Sequence, residues 1–189
     1  MIKYAALLLI IVGIGCSVPE YDSVRQTENF TKNWEFTLDE IAKPGDINDQ
    51  NINWRTLNLP HDWSIEGEFS PDHPATVGGG ALPGGIGWYR KEFFVPESDS
   101  AKHISIRFDG VYMNSDVWIN GEHLGHRPNG YIGFTYDLSA YLNFGAENEI
   151  LVKVDNSKQP NSRWYSGSGI YRNVWLTKTS PIRIFDEEV

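Results

Sequence analysis

Asp116-Val117-Trp118-Ile119-Asn120-Gly121-Glu122-His123-Leu124 is the stretch that decides the fold. Asn-Gly accepts positive φ at both central positions of a type I′ turn, whose twist matches that of paired strands. The stretch therefore predicts a tight β-hairpin. Working outward, Ile104, Ile106 and Phe108 alternate with Ser105 and Arg107, and Ile150, Val152 and Val154 alternate with Leu151 and Lys153. A period of two is the signature of a strand with one buried face. The same criteria predict strands at Trp34–Leu38, Arg55–Leu59, Trp88–Val95, His103–Asp109, Ser115–Ile119, Glu122–Gly125, Gly133–Asp137, Glu149–Val154 and Asn173–Lys178. No stretch has the period of an amphipathic helix; Leu138–Leu142 is predicted to form one helical turn at most. About nine strands in some 150 residues, without βαβ alternation, predict an all-β fold, a two-sheet sandwich or jelly roll.

The composition narrows what such a fold can do. At 189 residues there is room for one domain, and a catalytic barrel of about 250 residues does not fit. A net charge of −9 argues against nucleic acid, which needs a basic face. Aromatics make up 13% with seven Trp, which suits a sandwich core or flat stacking surfaces. One cysteine, Cys16, excludes an intramolecular disulfide and a Cys₄ or Cys₂His₂ zinc site.

Cys16 lies where an export signal would end. Lys3 gives a weak positive start, and Ala5–Ile14 is an apolar run of ten residues. That is too short for a bilayer, which needs about 20, and suits a signal core of about 7–15. Gly13-Ile14-Gly15-Cys16 resembles a bacterial lipobox, with Gly13 where Leu is usual. The resemblance implies that residues 1–16 are a lipoprotein signal peptide with lipidation at Cys16. It further implies export to the periplasm, outer membrane or cell surface of a Gram-negative bacterium. Residues 17–32, polar and without periodicity, read as a tether.

Two segments resist a strand assignment. Residues 64–87 hold seven Gly and three Pro and end in GGGALPGGIG. They fit a flexible surface loop or a loop lining a site, since connections beyond about 12–15 residues are uncommon without a role. Residues 155–169 place Arg163, Trp164 and Tyr165 between two strands. Trp164 and Tyr165 could stack on a ligand ring or pack under the loop. Arg163 could supply donors to sugar hydroxyls or a carboxylate, or be a surface charge. A retaining glycosidase needs two carboxyls about 5–5.5 Å apart; Glu66 and Glu68 share one side of an extended segment, a spacing too common to assign a catalytic pair. His123 and His126 lie around a strand end with no carboxylate in obvious register, so no metal is assigned. There is no Gly-x-Ser-x-Gly elbow and no P-loop.

Several strings taken in order carry a family resemblance. They are Leu59-Pro60-His61-Asp62-Trp63, Gly87-Trp88-Tyr89-Arg90-Lys91, Phe108-Asp109-Gly110-Val111, Val117-Trp118-Ile119-Asn120-Gly121 with Leu124-Gly125, and Arg163-Trp164-Tyr165-Ser166-Gly167-Ser168-Gly169-Ile170-Tyr171-Arg172-Asn173-Val174-Trp175-Leu176. Residues 33–185 resemble the N-terminal sugar-binding domain of glycoside hydrolase family 2, most closely its β-galactosidase branch. The resemblance implies a jelly-roll β-sandwich, galactose-binding-domain-like, in a retaining β-glycosidase. An immunoglobulin-like domain and a TIM barrel with two catalytic glutamates would follow, with residues 186–189 starting the linker to them. It implies no catalytic residue within these 189 positions and no cofactor. It points to Arg163 and Trp164 as substrate-binding residues for a β-linked glycoside. His61, Asp62 and Trp63 are expected to knit the domain to the barrel or to the second long loop. Gly169 is expected to make a backbone bend and Arg172 an ion pair at a domain border. The rival readings are a stand-alone, non-catalytic carbohydrate-binding lipoprotein and a truncated remnant.

Overall fold

The computed structural model describes residues 25–38, 44 and 52–184. Among these residues ten strands run in chain order: β1 (Arg25–Asn29), β2 (Trp34–Leu38), β3 (Arg55–Leu57), β4 (Gly85–Val95), β5 (His103–Phe108), β6 (Ser115–Ile119), β7 (Glu122–Arg127), β8 (Phe134–Asp137), β9 (Ala146–Asn156) and β10 (Val174–Thr179). They form two antiparallel sheets, one of order β1-β10-β5-β8 and one of order β3-β2-β4-β9-β6-β7. This is the all-β jelly-roll sandwich that the alternating runs predict.

The core is the space between the sheets. Ile104, Ile106 and Phe108 of β5 and Val174 and Leu176 of β10 face Val117, Ile119, Ile150, Val152 and Val154 of the larger sheet, all essentially without solvent exposure. Each such side chain contributes roughly 1.5–3 kcal/mol on burial. The larger sheet also buries part of its outer face. Leu151 points away from the main core, yet it is buried with Trp88 beneath Trp118, Trp54, Ile52 and Ile86. Trp88 and Trp118 stack at 5.7 Å, and Arg90 lies 4.5 Å over Trp54. Part of the tryptophan surplus is spent on this second layer.

The Asn-Gly hairpin forms as predicted, with φ of 49° at Asn120 and 86° at Gly121. Asn120 does more than turn the chain. Its Oδ1 accepts from Glu149 N at 2.9 Å and its Nδ2 donates to Tyr141 O at 2.7 Å, tying the hairpin to the neighbouring strand and loop. Leu138–Leu142 is a hydrogen-bonded turn, closed by Tyr141 N on Leu138 O, rather than a helix.

Two boundaries differ from expectation. The tether predicted over 17–32 loses its second half to the domain, because Arg25–Asn29 pairs along its whole length with β10. All five residues are exposed, so an edge strand held by its backbone ladder shows no alternation to detect. Phe30 anchors its end, packed edge-on against Phe93 at 5.1 Å. Likewise Gly85–Gly87 belong to β4, where Gly87 leaves room that a Cβ would take 2.6 Å from the Trp63 ring. Cys16, the signal peptide expected over residues 1–16, and residues 186–189 lie outside the described residues.

Candidate functional site

One end of the sandwich is built by the two long connections that resist a strand assignment. The 58–84 connection is ordered by hydrogen bonds. Trp63 Nε1 donates to Gly84 O at 3.0 Å, Ser64 Oγ donates to Pro83 O at 2.6 Å, and Ser70 N donates to Ala81 O at 2.9 Å.

Asp62 joins the two loops across the molecule. Its Oδ1 accepts from Ser64 N at 3.0 Å and from Ser168 N at 2.8 Å, and its Oδ2 accepts from the Tyr165 hydroxyl. Backbone bonds from His61 N to Ile170 O (2.8 Å) and Trp63 N to Ser168 O (3.1 Å) extend the seam. So His61-Asp62-Trp63 knit to the second long loop. Burial, and then the Asp62 carboxylate, push the Tyr165 phenol well above its ordinary value. Tyr165 therefore stays a neutral donor.

Asn156 is a second hub. It is buried, donates to Gly167 O at 3.0 Å and Ser168 Oγ at 2.7 Å, and accepts from Asn161 Nδ2 at 2.6 Å and Gln159 Nε2 at 2.8 Å. Every hydrogen-bonding position of the amide is used. Gly169 completes the support: at φ 122°, its missing Cβ would sit 2.2 Å from the Tyr89 hydroxyl. Beneath it His61 Nδ1 lies 2.7 Å from that hydroxyl, and Glu66 reaches both His61 and Arg55. Burial lowers the His61 pKa more than Glu66 raises it, and burial raises that of Tyr89. Glu66 is thus the ion-pair partner of Arg55.

On this frame Arg163 and Trp164 point outward. Trp164 is 75% exposed, and Arg163 is exposed with no ion pair among the described residues. The space between the two loops amounts to about 10 Å³, room for one water at most, which needs roughly 10–15 Å³. The loops pack on each other and do not enclose a sugar between them. Tyr131, from the β7–β8 connection, reaches the same place, its hydroxyl 3.5 Å from Ser166 Oγ. Ile65, Phe69 and Val77, all exposed, stand on the first loop. Among the described residues Arg172 makes no salt bridge, and its guanidinium lies 5.5 Å over the Tyr171 ring.

Asp116, His123 and His126 come together on the hairpin, contrary to the expectation that no carboxylate stands in register. A bulge is the reason. Val117 pairs with Gly125 and Trp118 with His123, which leaves Leu124 as the extra residue and turns both histidines to one face. Asp116 then meets His123 at 2.9 Å and His126 at 3.1 Å. Both rings spend a nitrogen on the carboxylate, and among the described residues no group of three His, Cys, Asp or Glu is placed to hold a metal.

The fold is thus a two-sheet jelly roll whose two hydrogen-bonded long connections present an outward arginine and tryptophan. Residues 27–180 match the family described as glycosyl hydrolases family 2, sugar binding domain, and the chain belongs to that family. It is 55% identical over 172 residues to the β-galactosidase BoGH2A of Bacteroides ovatus, covering 89% of this chain and 20% of that protein. It is 45% identical over 177 residues to a putative β-glucuronidase of Formosa agariphila, covering 93% and 17%. The solved structure of a β-glycosidase from Bacteroides vulgatus superposes with a TM-score of 0.75 at 50% identity, over 82% of this chain and 20% of that one. The chain thus spans about a fifth of the length of the relatives it matches.

Proposed function

We propose that the domain serves a retaining β-galactosidase-like glycosidase, in which Arg163 and Trp164 help hold the non-reducing sugar of a β-linked glycoside. The observation that carries this is the outward projection of both side chains from a loop pinned by Asp62 and Asn156. A side chain presented this way needs a second wall, and the exposed Phe69, Val77 and Tyr131 beside it suit the docking of another domain. In this proposal the immunoglobulin-like domain and the barrel, with both catalytic glutamates, lie outside these residues. Arg163 then fixes one hydroxyl orientation through its rigid fork.

The test is a chimera in which this domain replaces its counterpart in the Bacteroides ovatus β-galactosidase, with and without Arg163→Ala. A charged hydrogen bond left broken costs about 1.5–3 kcal/mol, so kcat/KM falls roughly 10- to 150-fold while the melting temperature holds. A variant that loses stability and keeps kcat/KM within about twofold defeats the assignment. The 189-residue chain alone is expected to leave nitrophenyl β-galactoside intact, since no described carboxylate pair is poised for the chemistry.

A second reading, a β-glucuronide as substrate, draws on the relative from Formosa agariphila and on the fit of a guanidinium to a carboxylate. Comparing kcat/KM of the chimera on the two nitrophenyl glycosides separates them. We further propose export as a lipoprotein anchored through Cys16, supported by the apolar run that precedes it. Palmitate labelling of the cells tests this: Cys16→Ser abolishes the label if the proposal holds, and unchanged labelling ends it.

A further inference from the structure

We propose that Asn129 is a site of spontaneous covalent modification, deamidation through a succinimide, and that the fold locks Asn120, the other asparagine followed by glycine, against the same reaction. The proposal does not rest on the glycosidase reading.

The chemistry comes first. The chain holds two Asn-Gly pairs, Asn120-Gly121 and Asn129-Gly130. In such a pair the glycine nitrogen can attack the side-chain carbonyl carbon of the asparagine, because glycine has no Cβ to obstruct the approach and adopts the backbone angles that the approach needs. A bond forms between that nitrogen and Cγ and closes a five-membered succinimide. The bond from Cγ to Nδ2 breaks, and the amide leaves as ammonia with the proton that the glycine nitrogen gives up. Water then opens the ring. Opening at one carbonyl gives aspartate in a normal backbone. Opening at the other gives isoaspartate, whose main chain runs through the side-chain carbon and is one methylene longer. Water is the sole co-reactant.

The two asparagines differ in what their side chains hold. Asn120 uses both ends of its amide. Its Oδ1 accepts from Glu149 N at 2.9 Å, and its Nδ2 donates to Tyr141 O at 2.7 Å and to Asn148 Oδ1 at 2.8 Å. Asn148 is buried and committed in turn, accepting from Asn143 N at 2.7 Å and donating to Asn143 O and Ala146 O. Swinging the Asn120 carbonyl carbon onto Gly121 N breaks three hydrogen bonds, and the nitrogen that must leave is the one held by two of them. Asn129 uses one end only. Its Oδ1 accepts from Tyr131 N at 2.8 Å and from Ile132 N at 3.3 Å, while its Nδ2 has no partner among the described residues. Asn129 is exposed, so the leaving nitrogen is open to water. Gly130 is buried, and its carbonyl accepts from the Tyr171 hydroxyl at 2.8 Å. The glycine is therefore held, and the side chain of Asn129 is the part that moves.

The same asymmetry decides what each product does. Aspartate at position 129 keeps the acceptor that the turn uses and strengthens it, since a charged acceptor holds a backbone N–H more tightly than a neutral one. Aspartate at position 120 puts a carboxylate oxygen where a donor stood. It then faces Tyr141 O and Asn148 Oδ1, two acceptors left without their hydrogen bond. The fold thus tolerates the change at the site it leaves open and is harmed by it at the site it closes. Isoaspartate at position 129 lengthens the turn by one methylene and moves Tyr131, whose hydroxyl lies 3.5 Å from Ser166 Oγ on the loop that carries Arg163. A slow chemical change at Asn129 is in this way passed to the edge of the candidate site.

The test is peptide mapping by mass spectrometry of the 189-residue chain aged in mildly alkaline buffer, once folded and once in urea. In urea both seats are gone, and the two pairs are expected to convert at similar rates. In the folded chain Asn129 is expected to convert about tenfold or more faster than Asn120, which is about 1.4 kcal/mol in barrier. Equal rates in the folded chain, faster conversion at Asn120, or a ratio that urea leaves unchanged overturns the proposal. So does a folded Asn129 that stays intact while the urea sample converts. Two variants read the products without ageing. Asn129→Asp is expected to hold the melting temperature within about 2 °C of the parent, and Asn120→Asp to lower it by about 4 °C or more. Equal effects of the two overturn the claim that the fold tolerates one and not the other.

Discussion

Removing the Asp62 carboxylate tests whether the two loops are one mechanical unit. In Asp62→Ala the N–H groups of Ser64 and Ser168 lose their acceptor. Those residues are 2% and 0% exposed. A buried donor left without a partner costs about 1–3 kcal/mol. Water can enter the space left by the carboxyl group and recover part of this, so two donors give about 2–4 kcal/mol together. For a domain of this size each kcal/mol lowers the melting temperature by about 2–4 °C, so the expected drop is about 4–16 °C. Tyr165→Phe removes the third bond alone. Its hydroxyl is near solvent, so about 1 kcal/mol or less is expected. The assay is thermal unfolding by circular dichroism, with tryptophan fluorescence recorded alongside. Trp164 sits one residue from Tyr165, so its emission should respond in Asp62→Ala before global unfolding. A melting temperature within about 1 °C of the parent, or a Tyr165→Phe effect as large as that of Asp62→Ala, refutes the hub.

Gly169→Ala drives a Cβ to 2.2 Å from the Tyr89 hydroxyl and 2.8 Å from His61 O at a φ of 122°, so it should cost about 3 kcal/mol or more in urea unfolding. Gly121→Ala has nothing within 4 Å and only its φ of 86° to bear, so about 1 kcal/mol is expected; equal costs would contradict the packing argument. The His61 pKa is lowered in the folded protein, so the unfolded chain binds the extra proton first. Stability is full above the unfolded value of about 6.5 and declines as pH falls below it. The gap in urea midpoint between the parent and His61→Asn should therefore shrink from about pH 7.5 to 5.5; a constant gap rejects the linkage. Burial pushes the Asp99 carboxyl up, but Lys178 at 2.8 Å and Lys102 at 3.1 Å outweigh it and hold it below its ordinary value. Its contribution is present above the unfolded carboxylate value and is lost as pH falls through the folded one, which Asp99→Asn should abolish in acid titrations.

The sheet strands were legible because burial on one face writes a period of two into the chain. Ile104, Ile106 and Phe108 show it, and so do Val152 and Val154. β1 was not legible, since an exposed edge strand answers to a backbone ladder and its five polar residues carry no pattern. The bulge at Leu124 escaped for a related reason. Sequence spacing alone puts His123 and His126 on opposite faces of a regular strand, and only the pairing with Val117 and Trp118 brings them together on Asp116.

The candidate site divides in the same way. Arg163 and Trp164 could be picked out from a string whose order resembles a family, but nothing local said what holds them. Their support comes from Asp62, about a hundred residues away along the chain, and from an asparagine at the end of β9. The outer face of the β1-β10-β5-β8 sheet is less legible still, because its rows exist only once four strands from three distant parts of the sequence lie in register. The hydroxyls of Thr27 and Thr177 meet there at 3.2 Å, although about 150 residues separate them. The β7–β8 connection links the two places. Asn129 Oδ1 accepts from Tyr131 N at 2.8 Å, holding a turn that sends Tyr131 toward Ser166 while Asn129 and Ile132 border the outer face of the sheet. One connection therefore borders both that face and the loop that carries Arg163.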